Sequence, residues 1–156
     1  MGIVTASEPV SRLRWSTPPA ALVTAAVGGI VLAVAAIFTG DAPSRLLVGL
    51  AALLLLGLSA VGLRQRPRLS IVPGQRPVLV VRGLLGAVEY PRDRILRARV
   101  VSFRRLGRKS PNLEIDVEHD GEDRLLIFGR WDLGTHPQDV LDALVEHGLA
   151  VPEPLG

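Results

Sequence analysis

The residues of this chain that could do chemistry are few and scattered. The sequence contains no cysteine, which excludes a disulfide, a thiolate metal site and a cysteine nucleophile. We expect His119 in a turn and His136 and His147 at the two ends of a helix, without metal-ligand spacing. The carboxylates from Asp116 to Asp123 lack the calcium-loop pattern. We therefore predict no metal and no cofactor.

Catalytic signatures are also missing. The sequence has no glycine loop of the kind that cradles phosphate, and no recognisable arrangement of Ser, His and Asp. The prediction is a protein that is not an enzyme and has no evident small-molecule substrate.

Charge is strongly segregated along the chain, although the net charge is only +3. Residues 64–109 are strongly basic and residues 110–156 are strongly acidic, so we expect the two blocks to neutralise each other within the fold. Some cations could instead bind anionic lipid headgroups. These candidates are Arg64, Arg66, Arg68, Arg104, Arg105, Arg108 and Lys109. For the first three, the simpler interpretation is the positive charge that flanks a membrane span. We do not expect nucleic acid as a ligand, because only Phe103 supplies an aromatic ring near the 104–109 cluster.

Two long apolar segments must position these groups. Residues 20–38 and 46–63 contain no charged residue, and each is long enough to cross a bilayer as a helix. The link Thr39 to Arg45 contains Gly and Pro and can only turn the chain back, which predicts a transmembrane helical hairpin over 20–63. Small residues recur every fourth position in the first span, where the second helix is the expected neighbour. They are Ala21, Ala25, Gly29 and Ala33.

The arginines near the spans predict the orientation of this hairpin. Arg12 and Arg14 precede the first span and three arginines follow the second, whereas the link contains only Arg45. We therefore expect a multi-pass protein of the plasma membrane with both termini cytoplasmic, residues 1–19 as an N-terminal tail, and Trp15 at the membrane interface. An alternative is that the first segment is a cleaved signal peptide, with Ala33-Val34-Ala35 as the cleavage site.

The residues after the hairpin form short strand-like runs separated by Gly and Pro, which predicts a small antiparallel sandwich or barrel over 64–149. The runs are Leu69 to Val72, Val78 to Val81, Ala87 to Tyr90, Ile95 to Phe103, Leu113 to Glu118 and Arg124 to Phe128. Asp120-Gly121 predicts a tight turn. Leu113, Ile115 and Val117 should face the core, with Glu114, Asp116 and Glu118 on the other face. A connection over 104–111 would pair Arg97 with Glu118, Arg99 with Asp116 and Val100 with Ile115.

A C-terminal amphipathic helix should follow these strands. Thr135 and Gln138 fit a capping box, Pro137 lies in the first turn, and Gly148 ends the helix. Its apolar stripe consists of Val140, Leu141, Leu144 and Val145. We expect this helix to close one end of the barrel, followed by a Pro-rich tail over 150–156.

Leu125, Leu126, Ile127 and Phe128 are four consecutive apolar residues in one predicted strand. Since side chains alternate along a strand, only two of them can face the interior. The other two are either covered by another part of the chain or form an exposed interface for a partner or a second copy.

Taken together, several features resemble small bacterial membrane proteins with a bacterial pleckstrin-homology (PH) domain. They are the two spans, the Arg-rich strand that starts at Arg64, and the Gly129-Arg-Trp-Asp-Leu-Gly134 segment before the last helix. The resemblance implies a seven-strand PH-like barrel closed by a C-terminal helix, attached to the membrane, with no known catalytic residues. The basic loop by which many eukaryotic PH domains hold phosphoinositides does not stand out, because loop 73–77 contains only Arg76.

These observations favour a membrane-anchored PH-like module that binds or scaffolds a protein partner, or associates with itself. The alternative is a lipid-responsive regulatory or transport-accessory subunit of a larger membrane complex.

Overall fold

The computed structural model of the chain describes residues 13–152, apart from the side chain of Arg105. Arg12, the rest of the predicted N-terminal tail before it, and residues 153–156 lie outside the described residues. The described residues form two compact units, one of residues 17–66 and one of residues 13–16 together with 67–152. We call them the helical unit and the globular unit.

The helical unit consists of helices α1 (Pro19–Phe38) and α2 (Ala42–Arg64). The first agrees with the predicted span, but α2 begins four residues before the predicted position. Asp41 is the reason: its carboxylate accepts a hydrogen bond of 2.9 Å from the backbone N–H of Ser44 and caps the helix, and Pro43 fits the first turn. The link between the helices is therefore only Thr39 to Asp41.

The two helices pack through small residues. Gly29 and Ala36 of α1 are buried, as are Ala52 and Ser59 of α2. A Cβ atom added at Gly29 would lie 2.8 Å from the Cγ atom of Leu56, so only glycine allows this approach. The predicted contact between the small-residue stripe and the second helix is thus confirmed at Gly29. Most large apolar side chains of both helices are exposed, which distinguishes them from the core helices of a soluble protein.

The first sheet of the globular unit has four antiparallel strands, ordered β1-β2-β3-β4. They are β1 (Arg14–Trp15), β2 (Leu69–Val72), β3 (Val78–Gly83) and β4 (Gly86–Pro91). Trp15 pairs with Leu69, although the whole helical unit separates them in the sequence. The helical unit is therefore an insertion between two neighbouring strands of one sheet.

This pairing corrects two expectations about the N-terminus. Trp15 is not at a membrane interface: its side chain is 8% exposed and belongs to the core of the globular unit, together with Leu13. Residues 13–16 are likewise part of the folded unit and not of a tail. The physical reason is that a large ring gains more from a protein core than a site at the interface offers.

The second sheet contains β5 (Ile95–Arg105), β6 (Arg108–His119) and β7 (Glu122–Gly129), in that order. All six predicted runs are strands, and β1 is the seventh. The Asp120-Gly121 turn is confirmed, with φ of 53° and 80° at its two residues. The expected closed barrel is wrong, because no strand pairing joins the two sheets within residues 13–152.

The predicted register between β5 and β6 is also wrong. Arg97 lies opposite Asp116, Arg99 opposite Glu114 and Val100 opposite Leu113, a shift of two residues on β6. The cause is the length of the connection. The strands were expected to be joined by residues 104–111, but they continue to a two-residue turn, Leu106-Gly107. Because the shift is even, each residue keeps its predicted face and changes only its partner.

The remaining elements are a 3₁₀ turn (Arg92–Arg94), a one-turn helix α3 (Arg130–Leu133) and the C-terminal helix α4 (Pro137–Glu146). The predicted Thr135 cap is wrong: the Nδ1 atom of His136 accepts the hydrogen bond from the Gln138 N–H. The helix ends before Gly148, which has a positive φ of 73°. In its apolar stripe Val140, Leu141 and Leu144 are buried and Val145 is partly buried, and the helix packs against β5 and β6.

One hydrophobic core holds both sheets and α4 together. As predicted, Leu113, Ile115 and Val117 of β6 are fully buried. They meet apolar residues from the first sheet and from the helix, which are Trp15, Leu69, Ile71, Leu79, Tyr90, Val140 and Leu144. This core fixes which face of β7 is left outside.

Candidate functional site

The outer face of β7 carries two exposed apolar side chains. Leu126 and Phe128 point into the core, and Phe128 is 4% exposed. Leu125 and Ile127 point outward and are 52% and 51% exposed. Of the two outcomes that the strand pattern allowed, the described part of the chain shows the exposed one.

Charged residues of the neighbouring strands lie beside this apolar pair. In the strand register, Leu125 is opposite Asp116 and Ile127 is opposite Glu114. Glu114 is 6% exposed and accepts hydrogen bonds of 2.9 Å from both Nε and Nη2 of Arg99. The expected neutralisation between the basic and acidic blocks is therefore confirmed at this pair. The result is a sheet face with a hydrogen-bonded ion pair next to two exposed aliphatic residues.

Strand β7 is also the edge of its sheet. Among residues 13–152 it pairs with β6 alone, so its other backbone edge has no strand beside it. An exposed apolar edge strand is a template for pairing with another chain, which proteins usually block with charge, proline or a covering segment. The positions of Leu125 and Ile127 on such an edge make the outer face of β7 a candidate docking surface. We call it the β7 face.

A second candidate surface is formed by the tip of the β5–β6 hairpin. The last pairing with β7 is between Asn112 and Gly129, so β5 and β6 continue beyond the third strand as a two-stranded arm over residues 102–111. Phe103 of this arm is 45% exposed, and Leu106 at its apex is fully exposed with a φ of 50°. A leucine in the left-handed region costs about 1–2 kcal/mol relative to ordinary backbone. The arm therefore combines exposed apolar side chains with a strained backbone at its apex.

The arm also places like charges opposite each other. Arg104 is opposite Lys109, and Arg105 is opposite Arg108. The side chains of Arg104, Arg108 and Lys109 form no ion pair with any described residue. Like charges in directly opposed positions destabilise a hairpin. An anionic ligand would relieve this repulsion, and we call residues 102–111 the basic arm.

The three arginines at positions 64, 66 and 68 do not form one cluster. Arg64 is the exposed last residue of α2, whereas Arg66 already has a partner. Arg68 belongs to the globular unit, where its Nη1 atom lies 2.9 Å from Oδ1 of Asp132. Asp132 also accepts a 3.0 Å hydrogen bond from the Gly129 N–H, so this ion pair ties the start of β2 to the segment after β7.

The described cavities show no catalytic arrangement. A cavity of about 330 Å³ lies between the start of β5 and residues 149–152, and an open cleft of about 1090 Å³ lies between loop 74–77, residues 91–93 and the end of α4. His147 lines the cleft, but its Nδ1 atom is 2.8 Å from the carbonyl oxygen of Ala143. Within residues 13–152, no group of three His, Asp or Glu side chains could hold a metal ion.

The sequence reasoning missed several exposed apolar residues. Leu84 and Leu85 form the turn between β3 and β4 and are 62% and 106% exposed, and Trp131 in α3 is 65% exposed. A signal for the first two was present, because a Leu-Leu pair between Gly83 and Gly86 is unusual for a turn in water. Nothing in the sequence marks Trp131 as exposed, since a lone aromatic after a strand is as often buried.

Two helices of the chain, α1 and α2, are long and apolar enough to cross a membrane. Two hydroxyl groups inside these helices are satisfied locally: those of Thr24 and Ser59 each donate a 2.8 Å hydrogen bond to the carbonyl oxygen four residues earlier. Such internal bonds lower the cost of a hydroxyl group in hydrocarbon.

Comparison with known proteins places this fold in a family. Residues 66–150 match the model of the bacterial PH domain. An uncharacterized protein of Mycobacterium tuberculosis, found in strains CDC 1551 and H37Rv, is 39% identical over 142 residues, which cover 90% of this chain and 96% of the relative. No solved structure gives a significant match. The matched segment contains β2 to α4, so the match and the geometry agree: the chain belongs to the bacterial PH-domain family.

Proposed function

We propose that this protein is a non-enzymatic binding module of the bacterial plasma membrane. The helical unit anchors it as a transmembrane hairpin, and the globular unit holds or scaffolds a protein partner at the cytoplasmic face. The observation that favours this function is the exposed Leu125–Ile127 pair on the edge strand β7. An exposed apolar edge strand in a stable protein is best explained by a partner that covers it.

The positions of the arginines favour a cytoplasmic globular unit, because positive residues are retained on that side of the membrane. The β1–β2 pairing adds a second argument. The helical unit follows β1 and precedes β2, and these two strands are neighbours, with Trp15 paired to Leu69. Both ends of the helical unit must therefore lie on the same side of a membrane. Cleavage of a signal peptide near Ala33 would remove β1 and its buried side chains, which argues against that alternative.

A reporter fused after Gly156 tests this topology. We expect a cytoplasmic signal, because the charge bias and the shared sheet put both termini on the retained side. A second reporter at Gly40, in the link between the helices, should give the opposite signal. An external signal from the C-terminal fusion would refute the proposed orientation.

Serine substitutions along β7 test the binding surface. The side chains of Leu126 and Phe128 face the core, so Leu126→Ser and Phe128→Ser should each lower the free energy of unfolding by about 2–4 kcal/mol, because burial is lost and a hydroxyl group is left unpaired. Leu125→Ser and Ile127→Ser should leave the fold intact and abolish crosslinking to a protein in native membranes. If the outward variants keep every crosslink of the wild type, the β7 face is not the docking surface.

The basic arm favours the second candidate function, a lipid-responsive accessory subunit. Arg104, Arg108 and Lys109 have no ion-pair partner among the described residues, and each cation near an anionic membrane surface contributes about 1 kcal/mol. In nanodiscs with anionic lipid, trypsin cleavage of the full chain after Arg104, Arg108 and Lys109 should be slower than in zwitterionic nanodiscs. High salt should remove the difference. Equal rates in both lipids would exclude a lipid contact of the arm.

A further inference from the structure

We propose that the β3–β4 turn, Leu84-Leu85, inserts into the bilayer that the helical unit crosses. This inference rests on the proposed membrane anchoring and adds a second, shallow membrane contact made by the globular unit itself. It assigns the apolar turn to lipid, and not to the partner surface described above.

The first observation is the chemistry of the turn. Gly83 pairs with Gly86, so the two leucines between them form a tight hairpin connection. Water-exposed connections of this length are dominated by Gly, Asn and Asp, which accept the backbone geometry and hydrate well. Here the side chain of Leu85 is as exposed as in an extended chain, at 106%, and Leu84 is 62% exposed. Both side chains therefore present apolar surface where water would favour polar residues.

The second observation is that the described chain does not cover this turn. Space around the flanking glycines is open: a Cβ atom at Gly86 would meet nothing within 4 Å, and one at Gly83 only the backbone oxygen of Gly86. No part of the globular unit that the structure describes packs against the turn. The apolar surface is available to something outside the fold.

The third observation is the end of the sheet at which the turn lies. Val81 is opposite Leu69, and the Arg82 N–H donates a 3.0 Å hydrogen bond to the carbonyl oxygen of Arg68. The hairpin continues beyond this point, so at about 3.3 Å per residue the turn reaches about 10 Å past Leu69. Residue 69 is where β2 begins, and its neighbour Trp15 is where β1 ends. The leucines thus project from the end of the sheet at which the chain departs to the helical unit and returns from it.

Short connections join this end of the sheet to the helical unit. Residues 16–18 join β1 to α1, and residues 65–68 join α2 to β2. Even fully extended, four residues span at most about 14 Å. A leucine turn that projects about 10 Å toward the side of the attachment has the reach to enter the interfacial region. A hairpin tip offers a protein partner only its two side chains and no unpaired strand edge of the kind that β7 has, whereas each apolar side chain gains on entering lipid.

The test uses single cysteines in the full chain, which contains none of its own. Leu85→Cys, Gln75→Cys and Val27→Cys are labelled with the same environment-sensitive fluorophore and reconstituted into vesicles of phosphatidylcholine and phosphatidylglycerol with brominated acyl chains. Gln75 is the matched control, because it lies in the exposed loop at the opposite end of the same strands. Val27 in α1 reports whether the helical unit is in the bilayer. All three positions are exposed, so the label disturbs no core contact.

We expect brominated lipid to quench the labels at residues 27 and 85 and to leave the label at 75 unchanged. In the Leu85→Cys chain, adding Leu84→Asp should abolish the quenching, whereas adding Arg76→Asp at the far end should not. Quenching at 27 without quenching at 85 would refute this inference and leave the membrane anchor intact. No quenching at 27 would refute the anchor itself. If the label at residue 85 reports an apolar environment only at high protein density, and is not quenched by brominated lipid, the turn contacts a second copy of the chain. That result would also refute the proposal.

Discussion

Replacing residues 17–67 by the turn Asn-Gly should give a soluble protein that keeps the fold of the globular unit. Trp15 and Leu69 are paired antiparallel and the Arg68 N–H donates a 2.9 Å hydrogen bond to the Trp15 carbonyl oxygen, so Ser16 and Arg68 adjoin the new turn. A two-residue Asn-Gly connection matches the twist of such a pair. This chain, called the linked unit, allows the contribution of β1 to be measured without a membrane.

The contribution of β1 can be worked out from burial. Trp15 is 8% exposed and Leu13 is 6% exposed, both within the single core. A buried aromatic side chain removes about 150–250 Å² from water, which at about 25 cal/mol per Å² amounts to about 4–6 kcal/mol. Truncation of a buried Trp to Ala typically costs about 3–5 kcal/mol, and loss of a buried Leu about 2–5 kcal/mol more. Together these losses are comparable to the whole stability of a small domain, about 5–15 kcal/mol.

Chemical denaturation of four proteins measures this effect. The linked unit should unfold cooperatively, its Trp15→Ala variant should lose about 3–5 kcal/mol, and residues 67–156 alone should be largely unfolded. Arg14→Ala is the matched control, because this neighbour in the same strand is exposed and should change stability by less than about 0.5 kcal/mol. If residues 67–156 alone were as stable as the linked unit, or if both substitutions had the same effect, β1 would not be a structural part of this domain.

Three further predictions concern single contacts. Gly29→Leu should destabilise the helical unit in detergent by about 1–3 kcal/mol through overpacking against α2, whereas Gly57→Leu, with open space around it, should not. Arg99→Ala should cost the linked unit about 1–3 kcal/mol because buried Glu114 loses its partner, and changing both to Leu should recover most of it; no recovery would contradict the reasoning. Hydrogen bonds from Ser44 lower the pKa of the Asp41 carboxyl below 3.8. This cap is therefore present above pH 3.8 and lost in stronger acid. The NMR chemical shift of the Ser44 amide proton should follow the titration of Asp41, with a midpoint below pH 3.8, and Asp41→Asn should abolish this change.

Much of the organisation of this protein could be predicted from local sequence. The apolar segments were recognised because hydropathy over 18 or more residues is a property of the segment alone, and the α1 limits agree closely. Six strands and the Asp120-Gly121 turn were predicted because alternation and turn chemistry act over a few residues. The four apolar residues of β7 required an outward pair, whatever the fold. The resemblance to bacterial PH-domain proteins also came from sequence, and the family match confirms it.

Contacts between distant residues were decided only by the tertiary structure. A two-residue strand such as β1 has no periodicity, and nothing near Trp15 indicates that it pairs with Leu69 across the whole helical unit. The β5–β6 register depended on a two-residue Leu106-Gly107 turn whose first residue is not a usual turn residue, so the local rules predicted a longer connection, over 104–111, that was centred one residue too late. Burial of the inner strand faces likewise determined which side chains of β7 stay outside. The sequence determines which segments become helices and strands, because those preferences are local, and the shared core determines their pairing and what remains exposed.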